Sequence, residues 1–121
     1  MPKRQRKTEE KTVFILACDG KYALTKRPDQ GLLAGLWQLP DTEGNLSEHE
    51  AIRWAEDKGF SVQGITRLVV RRHIFTHIIW QMHGIYLQVA NTLPDYYWLN
   101  KEEIESRVAL PTAYRQFLEG L

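Results

Sequence analysis

Apolar residues fall along this chain in short blocks separated by turn-forming residues, a pattern that predicts strands interrupted by amphipathic helix. Thr12–Cys18 is apolar and β-branched, Asp19-Gly20 is a hairpin turn pair, and Tyr22–Lys26 supplies the return strand. A glycine-rich loop, Pro28–Gly35, leads into a short apolar segment, Leu36–Pro40. Ser47 with Glu50 three residues on forms a capping box. It opens a helix over Glu48–Lys58 with Ile52 and Ala55 on one face and Gly59 closing it. Phe60–Val70 and Ile78–Val89 read as strands, with Arg71–His77 as the connection between them. Tyr96–Leu99 reads as another short strand, and Asn100 with Glu103 as the cap of a small helix. Pro111 suits the first position of a last helix, Thr112–Leu118, burying Tyr114, Phe117 and Leu118. The element order predicts an α+β fold, a mixed β-sheet flanked by helices.

Composition narrows this. A length of 121 residues with four Trp, five Tyr and four Phe supports one hydrophobic core without disulfides. The single cysteine, Cys18, leaves no disulfide framework and no Cys-based zinc or iron–sulfur site within the chain. Lying beside the apolar run Val13–Ala17, it reads as a buried, inert thiol. No run approaches the ~20 apolar residues of a membrane span and no signal peptide is visible, so a soluble intracellular domain is expected. The net charge is +1, unevenly placed. Lys3, Arg4, Arg6, Lys7 and Lys11 against Glu9 and Glu10 put +3 on the first eleven residues and leave −2 on the rest. Any nucleic-acid contact by the body must therefore come from a local patch. Residues 1–11 read as a basic linker or tail, and residues 12–121 as the folded domain.

The most informative segment is Arg71-Arg72-His73-Ile74-Phe75-Thr76-His77-Ile78-Ile79-Trp80. A loop tip that wedges into stacked bases and hydrogen-bonds one of them could use the ring, the hydroxyl and the imidazole in that order. The residues alone leave a second reading open, in which Phe75 is a core ring and His77 a satisfied histidine at a strand start. Arg71 and Arg72 are candidates for phosphate contact, with Lys26 and Arg27 as weaker ones; an exposed strand-edge pair is the alternative for the first two. Trp37, Trp54, Trp80 and Trp98 read as core rather than stacking platforms.

Several of these features together resemble a known family. The element order, with Gly-Leu-Trp in the loop and a helix ending in Gly, resembles the Nudix fold. Lys26-Arg27-Pro28 followed by Gly31-Leu32-Leu33-Ala34-Gly35-Leu36-Trp37-Gln38-Leu39-Pro40 resembles the opening of the C-terminal 8-oxoguanine-recognition domain of MutY-type adenine DNA glycosylases. Phe75-Thr76-His77 stands where that family has Phe-Ser-His, Trp80 follows, and Pro111 matches the turn before the last helix. The resemblance implies that Phe75, Thr76 and His77 contact 8-oxoguanine, Thr76 at the position of the family's lesion-contacting Ser. It also implies a fragment of a larger enzyme, without catalytic residues or cofactor of its own. The iron–sulfur cluster and the adenine chemistry would belong to an N-terminal catalytic domain that nothing here resembles. The expected partners are that domain and double-stranded DNA carrying 8-oxoguanine opposite adenine, and the expected setting is a monomer in bacterial cytoplasm at the nucleoid.

The other reading is a Nudix-type nucleotide pyrophosphatase of the 8-oxo-dGTP class. That chemistry needs Mg²⁺ held by carboxylates on one helix face. The family supplies them as Arg-Glu-aliphatic-any-Glu-Glu-any-Gly. Anchored on Arg53, the Glu becomes Trp54, the Glu pair Asp57-Lys58 and the Gly Phe60. Anchored on Gly44 and Glu50, Arg-Glu becomes Lys58-Gly59. Neither register assembles a metal cluster, so the Nudix box is degenerate. Glu48, Glu50, Glu56 and Asp57 are then the solvated face of a helix. A protein-interaction module without DNA contact is the third possibility.

Overall fold

The computed structural model describes residues 6–121. Along the chain they form β1 (Lys7–Cys18), β2 (Lys21–Lys26), β3 (Trp37–Gln38), β4 (Asp41–Glu43), α1 (Glu48–Lys58), β5 (Val62–Ile74), β6 (Ile78–Val89), β7 (Tyr97–Asn100), α2 (Lys101–Arg107) and α3 (Thr112–Arg115). One mixed sheet runs in the order β3-β2-β1-β6-β5, with β4 also on β1 and β7 also on β2. Its axis is parallel: β1 pairs with β6 from Lys7↔Ile78 through Ala17↔Gln88. The other pairings are antiparallel, including β5 on β6, which leaves β5 at an edge. Asp19 and Gly20, both at positive φ, turn β1 into β2. This is the twist that a two-residue hairpin favours.

A central parallel strand is buried on both faces and should read as an unbroken apolar run. Val13, Phe14, Ile15 and Leu16 do so, each fully buried. Alternation then sorts them into two cores. Val13 and Ile15 join Trp80, Met82, Tyr114 and Phe117 under α2 and α3. Phe14 and Leu16 join Ile85, Leu87, Ala51 and Ala55 under α1. Thr12, also fully buried, donates to the Gly44 carbonyl at 2.7 Å and accepts from the Leu46 N–H at 2.9 Å, so its burial leaves no polar group unpaired.

Helix α1 follows its sequence signals closely. The Ser47–Glu50 capping box is formed, and Gly59 takes φ 110° at the C-cap. Small Ala51 and Ala55 let the helix approach the sheet, while Ile52 is half-buried. Trp54 lies flat on Phe14, with ring centroids 3.8 Å apart.

The α+β expectation stands, with shifts at several boundaries. β1 starts at Lys7, so residues 7–11 are strand where a tail was expected; the remaining tail residues, 1–5, lie outside the described set. Lys7–Lys11 is polar on both faces and carries no period-2 signature, yet its backbone pairs with Ile78–Met82. β5 similarly continues through Arg71 to Ile74, because ladder bonds to Ile79–Met82 override its charged sequence. The expected seven-residue connection thereby shrinks to three residues. β4 was not foreseen. Pro111 sits at the N-cap rather than the first helical position, and α3 ends at Arg115, with hydrogen-bonded turns carrying Phe117 and Leu118 into the core.

Gly84 is where the packing is tightest. A Cβ there would fall 2.6 Å from the Phe117 ring, whose backbone carbonyl is held by the Tyr86 hydroxyl. Gly84→Ala is expected to destabilise the fold by about 1–3 kcal/mol, seen as a lower denaturant midpoint with an unchanged slope.

Candidate functional site

β5 and β6 pair up to Ile74↔Ile79, and the Phe75 N–H closes the turn on the Ile78 carbonyl at 2.7 Å. Phe75, Thr76 and His77 are therefore the tip of a hairpin, none of them at positive φ. Thr76 and His77 are exposed, while Phe75 is half-buried. The opening of the chain holds this tip from the side. The Lys7 N–H donates to the His77 carbonyl and Arg6 Nε to the Thr76 carbonyl, each at 3.1 Å. Both bonds use main-chain oxygens, so they leave the exposed Thr76 hydroxyl and His77 imidazole uncommitted.

Below the tip the aromatic rings form a chain into the core. Phe75 sits edge-on to His73 and to Trp80, with centroids 4.8 Å away in each case, and Trp80 contacts Tyr114 in turn at 6.0 Å. Trp80 is 1% exposed; its indole N–H donates to Glu9, and Lys11 Nζ and the Arg27 guanidinium lie 4.7 Å and 5.1 Å from its ring centroid. Such cation–π contacts are stronger where water is excluded. The core alternative thus holds for one side of Phe75, whose ring is anchored rather than free. It does not hold for His77, whose side chain faces solvent.

The four candidate phosphate contacts separate. Arg71 and Arg72 are exposed, but strand alternation puts them on opposite faces of β5. Arg71 lies on the side of Tyr86 and donates to the Val70 carbonyl at 3.0 Å. Lys26 is exposed beside Trp37. Arg27 is a correction: its guanidinium donates to the Leu32 carbonyl at 2.9 Å, Gln38 Oε1 at 2.9 Å and the Tyr114 hydroxyl at 2.7 Å. A guanidinium spread over three partners within the fold is a structural clamp rather than a free surface cation. The Tyr114 hydroxyl in turn donates a hydrogen bond to Asp41 at 2.8 Å. Burial first, then the Asp41 charge, raises its pKa far above the ordinary tyrosine value.

Two residues at this site, Arg6 and Lys7, read from sequence as part of a basic tail, a solvated tether with phosphate contact as the alternative. Their basic character was visible, but their placement depends on a parallel ladder with a strand seventy residues away. Of the tryptophans, Trp80 is fully core, while Trp37, Trp54 and Trp98 are only partly buried.

On α1, Glu50 is committed to the Ser47 N–H at 2.9 Å, which with the Ser47 hydroxyl lowers its pKa. Glu48, Glu56 and Asp57 are exposed, and Lys58 leans on the Trp54 ring. Among the described residues, no three His, Cys, Asp or Glu side chains gather as a metal site. The Mg²⁺ of Nudix hydrolysis does not fit this donor set. The buried Cys18 thiol is pushed to higher pKa by burial and then by Asp19.

The sequence model of the NUDIX domain matches residues 12–120. The chain belongs to the NUDIX domain family. Within that family it is 31% identical to human adenine DNA glycosylase over 114 residues, covering 83% of this chain and 20% of that protein. It therefore spans about a fifth of that relative's length. Among solved structures it is similar to the C-terminal domain of mouse MUTYH, crystallised in complex with human PCNA. The TM-score is 0.68 at 26% identity, covering 91% of this chain and 84% of that one. The MutT NUDIX hydrolase from Burkholderia pseudomallei has a TM-score of 0.70 at 22% identity, covering 94% and 98% of the two chains, which speaks for the shared Nudix fold.

The two roles at the tip separate by mutation. Phe75→Ala is expected to destabilise the protein by about 1–3 kcal/mol, less than a fully buried Phe would cost, whereas Thr76→Ala stays within about 0.5 kcal/mol; thermal unfolding of both variants checks this. Alkaline pH provides a second test. Tyr86, Tyr96 and Tyr114 all have raised folded-state pKa values, chiefly through burial. Their stabilisation is fully present below about pH 10 and is lost above it, as the unfolded tyrosines ionise and the folded ones do not. A falling denaturant midpoint above pH 10, with a shallower fall in Tyr114→Phe, is the expected result.

Proposed function

We propose that this domain is the lesion-reading module of an adenine DNA glycosylase, holding 8-oxoguanine opposite the mispaired adenine with the tip of the β5–β6 hairpin. The observation that carries it is the exposed Thr76 side chain on a tip tied down at the Thr76 and His77 carbonyls and backed by an anchored ring. Oxidation at C8 turns guanine N7 from an acceptor into an N–H donor and adds an acceptor oxygen at C8. A hydroxyl has one donor and two acceptor lone pairs, so Thr76 can serve either new group. Each good edge contact gives about 1–3 kcal/mol of discrimination. Phe75 would present its outer edge beside the lesion, where stacking contributes a similar amount, about 1–3 kcal/mol per base. Its anchoring on Trp80 lowers the entropic cost of that contact. His77 would steady the bound strand, and Arg6, Lys7, Arg71 and Arg72 would meet phosphates that position the duplex without reading it.

Similarity to human adenine DNA glycosylase and to the mouse C-terminal domain supports this assignment. The parent reaction would be hydrolysis of the adenine N-glycosidic bond, with the adenine flipped into a pocket on a separate catalytic domain that also carries the iron–sulfur cluster. This domain would hold the opposite base and contribute no catalytic group. Its proposed partners are that domain and lesion-bearing duplex, in bacterial cytoplasm.

Titration with duplex carrying 8-oxoguanine opposite adenine should move the amide signals of Phe75, Thr76 and His77; an unmoved tip would refute the assignment. In an intact glycosylase bearing this domain, Thr76→Ala should lower the preference for 8-oxoguanine over guanine by roughly 5- to 100-fold, the range that one lost edge contact implies. Mg²⁺-dependent release of a nucleoside monophosphate from 8-oxo-dGTP by the domain would favour the hydrolase reading instead.

A further inference from the structure

The lesion-reading assignment draws on β5 only through Arg71 and Arg72, and leaves the strand's free edge, its exposed apolar residues and Arg67 without a role. Edge strands usually carry devices that block further pairing: proline, charged side chains, a covering loop or a bulge. β5 has no proline, its register shifts fall between Val62 and Arg67, and its only charges are three arginines, which would repel a cationic strand but not an acidic one. Arg67–Ile74 is consequently a regular half-ladder eight residues long. The Phe75 N–H points inward to Ile78, whereas the Val70 carbonyl points outward and is satisfied only by the neighbouring Arg71 side chain. Alternation then directs the main-chain groups of Leu68, Val70 and Arg72 to the open edge.

The two faces beside this edge differ in chemistry. Toward α1, Leu68, Val70 and Ile74 are 55%, 54% and 50% exposed, the first two lining a groove with Leu46, Ser47, His83 and Ile85. Toward α3, Arg67 lies 5.4 Å from the Tyr86 ring centroid, and Arg71, opposite Met82, shares that face. β5 contains three arginines and no carboxylate, and among the described residues none of the three is in an ion pair.

We propose that this edge docks an extended protein segment in which apolar and acidic residues alternate, added as a further antiparallel strand. Successive side chains of an added strand point to opposite faces, so its apolar residues would cover Leu68, Val70 and Ile74 while its carboxylates met Arg67 and Arg71. A second copy of this chain is disfavoured, since pairing β5 with itself would bring six arginines together with no acid between them. Main-chain bonds would supply affinity, and the charge pattern would select the partner.

The test uses the full chain and an eight-residue peptide alternating valine and glutamate, with a valine–lysine peptide as control. The amide protons of Leu68, Val70 and Arg72 should gain exchange protection with the acidic peptide, which should bind at least tenfold more tightly than the control. Arg67→Glu should reduce or reverse that preference, and Val70→Glu, a change at an exposed position, should weaken binding of the acidic peptide. Equal affinity for both peptides, absence of binding, or shifts confined to other strands would overturn the proposal. Protection of the same amides by duplex DNA alone, or by concentration-dependent self-association in sedimentation, would assign the edge to those occupants and equally overturn it. The outcome is independent of the hairpin tip, which Thr76→Ala interrogates separately.

Discussion

The parallel ladder between β1 and β6 is the constraint on which the rest of the molecule depends. Its inner stretch, Val13–Leu16 beside Gly84–Leu87, separates the two cores, and each helix packs on one of the faces it creates. Its outer stretch does something different. Lys7–Lys11 has little apolar surface to bury, so its place is fixed by main-chain hydrogen bonds to Ile78–Met82, by the bond that the Trp80 indole N–H donates to Glu9, and by the contact between Glu10 and His83. One ladder therefore makes the core at one end and braces the hairpin tip at the other. A small shift in register would undo both, because it would reverse the side-chain faces.

Trp80 converts that bracing into rigidity. It is fully buried, it supports Phe75 from below, and it is flanked by Lys11 and Arg27. Arg27 in turn belongs to a network with Gln38, Tyr114 and Asp41 that ties the glycine-rich loop to the C-terminal segment. Such a network is stable only when each member is satisfied, and among the described residues no buried side-chain polar atom lacks a partner. Within the proposed function, this hidden shell has a clear use. Discriminating one altered edge on a purine requires a hydroxyl held to within a fraction of an ångström, and a loosely held loop would spend its contact energy on ordering itself.

The Nudix scaffold here keeps the helix, while among the described residues no three His, Cys, Asp or Glu side chains gather as a metal site. In the register anchored on Arg53, Trp54 and Asp57-Lys58 replace the pattern's glutamates and Phe60 replaces its glycine, and two of these residues serve packing: Trp54 stacks on Phe14 and Phe60 is buried. Glu50 caps the helix instead of facing a metal. Fold membership and chemistry thus come apart, as expected when function resides in the site rather than the architecture.

Local signals in the sequence determined much of this protein. The capping box of α1, the Asp19-Gly20 hairpin, the buried block Val13–Leu16 and a connection containing Phe75-Thr76-His77 were all legible, because each rests on interactions within a few residues or on a period that side chains alone reveal. The features that only the tertiary structure decided are long-range and made by main chain or by polar side chains. Lys7–Lys11 became strand rather than tail, β5 ran on through Arg71 and Arg72, and the two arginines parted to opposite faces. Arg27, which reads as a surface cation in Lys26-Arg27-Pro28, became an interior clamp. Backbone pairing carries no side-chain signature, and a guanidinium shows its partners only after residues 87 positions apart have met.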